Sequence, residues 1–353
     1  MNPHILSPEL DGLVRKSSLI WNELRGARIF ITGGTGFYGS WLLESLIQAE
    51  VRLGLGVEVV VLSRNPERIL DGNPFRKNRS FLSFIKGDIR TFPFPEGKFS
   101  HVIHAATEAS EKLNKENPLL MIDTIVEGTR HTLDFAVHSG VKHFLHTSSG
   151  AVYGNLPASL GPVPEDYTGG PDILQPKWAY GEGKRLAELL CCIYGERHGI
   201  SVKNARCFAT VGPRLPLKTH FAIGNFISDA LRGKDIIIEG DGTPIRSYID
   251  VADLTVWLWH ILIFGKAGNA YNVGSEEGHS IAEVAKIVRD VLNSALEIKV
   301  LGRPIPQQLA SVYVPSTKKA QMELGLKVEI PLKTSIQRTA EWEKRVSGNN
   351  SSE

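Results

Sequence analysis

Cysteine is scarce in this chain: Cys191, Cys192 and Cys207 are the only three in 353 residues, with no C-x-x-C spacing and no even-numbered framework. That argues against a disulfide-stapled secreted scaffold and fits a reducing compartment, with the cytoplasm as the expected location. Long apolar runs are missing as well. No stretch approaches about eighteen uninterrupted apolar residues, and the N-terminus lacks the order of a signal peptide, so neither a membrane span nor secretion is expected. An excess of one charge is equally lacking, since 40 Lys and Arg stand against 38 Asp and Glu, which predicts no polyanion-binding surface. The basic cluster Arg76, Lys77 and Arg79 sits in a Pro/Gly/Asn loop without interleaved stacking residues and reads as a solvated face instead of a nucleic-acid contact.

What the chain does have is alternation. Short apolar runs (RIFIT, 28–32; VEVVVLS, 57–63; FLSFIKGD, 81–88; HVIHAA, 101–106; HFLHTSS, 143–149; SVKNARCF, 201–208) are separated by longer helical patterns (41–49, 119–138, 180–198). Repeated strand, helix, strand order predicts a parallel sheet covered on both faces, whose buried strands read as continuous apolar runs. The fold class is therefore α/β, a Rossmann-like doubly wound parallel sheet with a smaller C-terminal substrate-binding lobe. Residues 1–27 are an N-terminal extension whose segment 7–24 has a capping-like Ser7 and helical apolar spacing, read as a packed or partner-facing extension with packing favoured. Residues 28–213 are mainly the dinucleotide-binding domain and 214–345 mainly an interleaved lobe. The polar tail, from about residue 346 to 353, is expected to fray.

Between the first strand and the first long helix lies ITGGTGFYGS, residues 31–40. Gly34, Gly36 and Gly39 match G-x-G-x-x-G, and Gly33, Gly36 and Gly39 match G-x-x-G-x-x-G. Such a turn lets the backbone approach a pyrophosphate at the positive end of a helix, so the loop reads as a dinucleotide cradle. The second strand ends in Ser63-Arg64-Asn65 with no carboxylate for a ribose hydroxyl. Arg64 offers a guanidinium suited to a 2'-phosphate, which favours NADP over NAD; stacking on adenine or plain solvation are its other readings. Asp88 and Ile89, after the third strand, can bracket the adenine edge, and spacing alone supports a turn or cap role for Asp88 equally well.

Farther on, Tyr180 and Lys184 are four apart and share one helix face. A free tyrosine has a pKa of about 10, and a neighbouring ammonium lowers it towards the range of a usable acid/base. Ser149, at the mouth of its strand, can donate to a substrate oxygen where charge develops. Four histidines, 101, 104, 143 and 146, fall on neighbouring strands without a carboxylate or thiol to complete a ligand set, so no metal is expected. Trp257, Trp259 and His260 read as core, as do Cys191 and Cys192 against the sheet.

With these residues in place the sequence resembles the extended short-chain dehydrogenase/reductases, in their nucleotide-sugar branch of 4-epimerases, 4,6-dehydratases, decarboxylases and 4-ketoreductases. The resemblance spans about Arg28 to Arg345 and rests on TGGTGFYG, GDIR, HAAT, SSGAVYG, the Tyr180 and Lys184 pair, RCFATVGPR, GNFISDALRGK, GDGTPIRSYIDVADL and YNVGS. It implies that Gly33, Gly36, Phe37, Tyr38, Gly39, Ser63, Arg64, Asp88, Ile89, Ala105, Ala106, Thr107, Thr147 and Phe208, with Tyr180 and Lys184, hold the dinucleotide. It further implies that Thr107, Ser149, Gly150, Ala209, Asn225, Arg246 and Arg303 face a sugar nucleotide, Arg246 at its diphosphate and the loop around Phe221 to Phe226 at its base. A homodimer through the helices at 119–138 and 180–198 is implied by the same analogy.

Departures from the family pattern narrow the chemistry. Dehydratases carry an acid pair directly after the position of Ser149 and decarboxylases a carboxylate two residues after it, where this chain has Gly150 and Ala151. A 4,6-elimination or decarboxylation is thereby marked down unless Glu108, Glu165 or Asp166 reaches in. Ala209 replaces a usual asparagine and Pro315 a familiar aspartate. The expected function is NAD(P)-dependent hydride transfer at C4 of a nucleotide-activated sugar, as 4-ketoreductase, favoured by Arg64, or 4-epimerase, favoured by SSGAVYG. A non-catalytic dinucleotide-binding sensor is the reading from another class, opposed by the retention of Tyr180 and Lys184.

Overall fold

The computed structural model describes residues 6–66, 79–107, 110–217, 219, 221–304 and 309–349. Arg76, Lys77 and Glu108 lie outside the described residues. Two compact units divide the chain, one built from residues 1–152, 171–206 and 255–271, the other from 153–170, 207–254 and 272–353.

The chain opens with α1 (Ser7–Lys16) and α2 (Ser18–Glu23), followed by β1 (Arg28–Thr32), α3 (Phe37–Leu53), β2 (Glu58–Ser63), β3 (Leu82–Lys86) and β4 (His101–His104). Helices α4 (Glu111–Glu116) and α5 (Pro118–His138), strand β5 (His143–Ser149), helix α6 (Ala179–His198) and strand β6 (Ser201–Cys207) come next. The remainder is β7 (Thr210–Val211), α7 (Ala222–Leu231), β8 (Ile236–Ile238), β9 (Ile245–Ser247), β10 (Ile249–Asp250), α8 (Val251–Phe264), β11 (Asn269–Val273), β12 (Gly278–Ser280), α9 (Ile281–Leu292), β13 (Ile298–Val300), β14 (Val312–Tyr313), α10 (Lys318–Leu324) and α11 (Leu332–Asn349).

The main sheet is parallel, with seven strands in the order β11-β6-β5-β4-β1-β2-β3. The order reverses around β1 and β4, the switch point at which doubly wound folds bind ligands beyond the carboxyl ends of their strands. Strand β4 is buried at every residue and β1, β2 and β5 at every residue after their first, while the edge strand β3 is only partly covered. One core cluster forms around four rings: the Phe30 centroid lies 4.5 Å from Phe135, 5.3 Å from Phe92 and 6.0 Å from Phe99.

Helices α1 and α2 belong to the first unit and pack within it, the favoured of the two readings of this segment. Trp21 is fully buried, meets Trp259 edge-on at 5.5 Å, and donates its indole N–H to Val14 O at 3.0 Å. Asp11 of α1 takes a two-pronged hydrogen bond from Arg52 of α3, at 2.9 and 2.7 Å. Helix α1 begins at Ser7 behind Leu6, so Ser7 is a first-turn residue and not the cap that its type suggested. Trp257 and Trp259 are buried core, Cys191 is buried and Cys192 half-buried.

The second unit has a parallel β7/β10 pair, a three-stranded β12-β9-β14 sheet and a parallel β8/β13 pair. Asn272 ties residues 153–170 into it: its amide donates to Val163 O and Ser316 O, its Oδ1 accepts the Tyr153 hydroxyl at 2.8 Å, and its backbone N–H reaches Glu165 Oε1 at 2.8 Å. Two expectations are corrected here. Residues 222–226 are the start of helix α7 with Phe221 as its N-cap, not a loop, and residues 347–349 of the expected frayed tail continue α11, the rest of that tail lying outside the described residues. No described helix is long and apolar enough to cross a membrane.

Candidate active site

The turn behind β1 is held closed by its own glycines. Gly33 has φ of +70°, and a Cβ there would sit 2.6 Å from the backbone of Ala105 and Ala106. Gly39 packs so tightly on Gly33 that a Cβ would overlap its carbonyl. Gly36, the N-cap of α3, is different: a Cβ would meet only Gly33 O, at 3.4 Å. Glycine at 33 and 39 is thus required by the chain itself, whereas at 36 the chain leaves room for a side chain. That open position fronts the orphan N–H groups of the first turn of α3, a fit for the pyrophosphate of a dinucleotide. Phe37 and Tyr38 follow, with ring centroids 5.4 Å apart.

Beneath the turn, Thr32 Oγ1 accepts the Ala106 N–H at 3.2 Å and lies 2.9 Å from His104 Nδ1. His104 Nε2 lies 3.0 Å from Thr129 Oγ1, and burial pushes its pKa down to about 3. The histidines of β4 and β5 meet in register, His101 opposite His143 and His104 opposite His146, with stacked rings. They are neutral packing groups that carry the site strands.

At the carboxyl end of β5, Ser149 is nearly buried and its hydroxyl accepts the Ala151 N–H at 3.1 Å across a tight 3-10 turn, Gly150–Tyr153. Tyr180 and Lys184 lie on α6, one turn apart. Lys184 is 1% exposed, and its ammonium donates to Thr107 Oγ1 and to Thr147 O, each at 2.8 Å. A buried ammonium is costly without such partners. Thr107 in turn donates to Ala106 O at 2.8 Å, and Thr147 to His104 O at 3.1 Å. Thr107, Thr147 and Lys184, predicted separately from three segments, therefore meet. Tyr180 packs against the Met121, Ile125 and Ala187 cluster.

Three features escaped sequence reasoning. Asn114 of α4 accepts the Tyr180 backbone N–H at 3.0 Å and donates to Lys177 O at 2.7 Å, tying down the start of α6. Glu188, one further turn along α6, accepts Ser148 Oγ at 2.5 Å and the Arg206 guanidinium at 2.8 to 3.2 Å. Gly181 and Gly183 let α6 come close: a Cβ would lie 2.7 Å from Ala151 O and 3.2 Å from Ile125, respectively. Two glycines inside a helix were the available signal, since each lowers helix stability by about 1 kcal/mol and calls for a packing reason.

Along β2 and β3, Ser63 Oγ accepts the Asn65 N–H at 3.1 Å. Arg64 is exposed, and its charge is close enough to help hold the Asp88 carboxyl below its usual range. The larger cause is Arg90, which forks that carboxylate at 2.8 and 3.2 Å and also donates its backbone N–H at 2.9 Å, so Asp88 does take the turn role. The Ile89 side chain belongs to the core beside Gly128. In the second unit Phe208 is buried against Tyr313, ring centroids 4.6 Å apart, and Ala209 O accepts the Ile249 N–H. The Arg246 guanidinium lies 5.7 Å above the Tyr313 ring and donates to Ser311, while Asn225 and Arg303 are exposed.

A switch-point parallel sheet, a glycine-tight turn behind β1 and a serine, tyrosine and lysine at β5 and α6 define the dinucleotide-dependent short-chain dehydrogenase/reductase class. Residues 29–274 match the model of the NAD dependent epimerase/dehydratase family, and the chain belongs to that family. UDP-glucuronic acid decarboxylase 3 of Arabidopsis thaliana is 32% identical over 317 residues, 88% of this chain and 86% of that protein. The UDP-glucose 4-epimerase of Thermus thermophilus, solved with NAD, superposes with a TM-score of 0.71 at 26% identity, covering 90% of this chain and 99% of that one. The UDP-N-acetylglucosamine 4-epimerase of Methanobrevibacter ruminantium gives a TM-score of 0.77 at 22% identity over 91% and 99%, a likeness of fold.

Proposed function

We propose that the protein catalyses reversible oxidoreduction at C4 of a nucleotide-activated sugar, with Tyr180 as acid/base, Lys184 as its electrostatic partner and Ser149 as hydrogen-bond donor to the reacting oxygen. The observation that carries this reading is the buried Lys184 ammonium, fixed between Thr107 and Thr147 one helical turn from the Tyr180 phenol. A fixed positive charge favours the phenolate, which then removes the proton from a C4 hydroxyl, or returns it to a C4 carbonyl oxygen. Ser149 steadies that oxygen as its charge changes. The nicotinamide, when bound, supplies the two-electron exchange.

Gly150 and Ala151 offer no proton-transfer group beside Ser149. This favours C4 chemistry over the decarboxylation named in the Arabidopsis relative and over 4,6-elimination. Exposed Arg64, with no carboxylate on the end of β2, favours NADP, and with it a 4-ketoreductase. The SSGAVYG stretch favours the second reading, a 4-epimerase with retained NAD. Exposed Leu119 on α5 and Leu186 and Leu189 on α6 suit a homodimer contact through this helix pair, and three free thiols suit the cytoplasm.

The test is purified protein given NADPH and UDP- or dTDP-linked 4-keto-6-deoxyhexose. Stoichiometric loss of nicotinamide absorbance supports the reductase. Inversion at C4 of UDP-hexoses by NMR without added coenzyme supports the epimerase. Unchanged turnover in Tyr180→Phe would remove the catalytic assignment and favour a binding sensor.

A further inference from the structure

Two consecutive residues of β5 are held by two consecutive turns of α6. Thr147 O accepts from Lys184 at 2.8 Å, and Ser148 Oγ donates to Glu188 Oε1 at 2.5 Å. The next residue of the strand is Ser149. Tyr180, Lys184 and Glu188 are spaced by four, so they form one line down the helix face towards the strand.

The carboxylate of Glu188 is an expensive choice for that position. Glu188 is 9% exposed and Ser148 4%, and a buried carboxylate needs full pairing. Arg206 of β6 provides it with a fork at 2.8 to 3.2 Å, and Oε1, which accepts Arg206 Nε–H at 3.0 Å, also takes the short bond from Ser148. If cohesion of α6 with the sheet were all that was needed, apolar contacts of the same volume would serve as well or better. What a forked carboxylate adds is register, because a helix that slides or turns loses every one of these bonds together.

We propose that Glu188, clamped by Arg206 and bonded to Ser148, is a positioning residue that fixes α6 against β5 and so sets Tyr180 and Lys184 relative to Ser149. The proposal rests on the C4 oxidoreductase reading above. Neither Glu188 nor Ser148 is assigned contact with substrate or coenzyme; they act through the residues they hold.

The experiment compares Ser148→Ala, Ser148→Thr, Glu188→Gln and the Ser148→Ala/Glu188→Gln double variant, using NADPH with UDP- and dTDP-linked 4-keto-6-deoxyhexose and C4 inversion of UDP-hexoses. In Ser148→Ala and Glu188→Gln, kcat is expected to fall about tenfold or more with KM within about twofold, the signature of reacting groups misplaced after binding. Ser148→Thr, which keeps the hydroxyl, recovers most of the loss, and the double variant is no worse than Glu188→Gln alone. In parallel, the Tyr180 phenol is titrated by NMR of ring-labelled tyrosine in the NADPH complex, with its signal assigned by its loss in Tyr180→Phe. Its midpoint is expected to move by about half a pH unit or more in both single variants, a readout that depends on local field and not on turnover. Folded variants with kcat and titration like the wild type overturn the proposal, as does a lowered melting temperature with kcat, KM and titration unchanged. If Tyr180→Phe turns over normally, the oxidoreductase reading fails instead, and the titration alone judges the positioning role. Should Glu188→Gln fail to fold, Ser148→Ala carries both readouts.

Discussion

Asn114 holds the first turn of α6 by both ends of its amide, accepting from the Tyr180 N–H at 3.0 Å and donating to Lys177 O at 2.7 Å. The helix has no side-chain cap of its own, since its N-cap is Trp178, so a residue 66 positions earlier does that work. Asn114→Ala is expected to cost about 1 to 2 kcal/mol of stability, in the range of a lost cap. It also loosens the backbone that carries the phenol. Urea unfolding and steady-state kinetics check this: kcat falls more than the stability loss alone accounts for at 25 °C, where the variant stays folded.

The three loop glycines separate folding from binding. Gly33→Ala puts a Cβ into the Ala105 backbone at a left-handed φ, so it is expected to destabilise the protein with no ligand present. Gly36→Ala meets only Gly33 O at 3.4 Å. It should leave the melting temperature within about 2 °C, on the order of 1 kcal/mol for a chain of this size, while weakening NADPH binding at least tenfold by calorimetry, because a methyl group occupies the approach of the pyrophosphate. Equal effects of the two substitutions on the melting temperature would contradict this division.

Helix α6 tests close approach against propensity. An alanine at 181 gains about 1 kcal/mol of helix preference, yet its Cβ lies 2.7 Å from Ala151 O, a backbone atom that cannot move aside cheaply. Gly183→Ala meets the end of the Ile125 side chain at 3.2 Å, which can rotate. Gly181→Ala is therefore expected to lower both melting temperature and kcat, and Gly183→Ala to be near neutral in each.

Legibility in the sequence followed locality. The strands from β1 to β6, helix α6 and the loop glycines were readable because apolar runs, four-residue spacing and glycine at a strand-to-helix turn are properties of neighbouring residues. Tyr180 and Lys184 were readable for the same reason. The partners that hold them were not. Ser148 and Glu188 are 40 residues apart and Glu188 and Arg206 18 apart, and a serine, a glutamate and an arginine at such distances carry no pattern until the sheet brings β5 and β6 together under α6. The helical start of α7 was missed because the residues around Phe221 carry a proline- and glycine-rich approach and no side-chain N-cap. Arg64 and Asp88 were readable as positions at strand ends, whereas the fork from Arg90 that occupies Asp88 depends on a turn closed by the Arg90 N–H.

Buried bases under the site predict how stability responds to pH. Burial lowers the pKa of His104, and of His101, from 6.5 to about 3, so below 6.5 the unfolded chain binds protons that the folded chain refuses. Stability contributed by these neutral rings is present above pH 6.5 and is lost as pH falls towards 3, with a slope of about 1.4 kcal/mol per pH unit for each group. Carboxylates titrate in the same window, sloping the same way where a cation lowers them, as Arg90 does Asp88, and the opposite way where burial raises them, as at Asp253, so the contribution of His104 is isolated by difference: His104→Gln, which can still bond Thr32 and Thr129, should flatten the urea midpoint between pH 6 and 4 by about one proton's worth. Lys203, bonded to His143 at 3.2 Å and Leu262 O at 3.0 Å, has its pKa lowered by burial from 10.5 to about 8. Here too the unfolded chain holds the proton more tightly, so stability rises as pH climbs from 8 to 10.5, and Lys203→Met should remove that rise. If neither His104→Gln nor Lys203→Met changes the slope of the urea midpoint in its window, these groups titrate in the fold as they do in the unfolded chain, and the neutral stack of histidines on β4 and β5 would have to be given up.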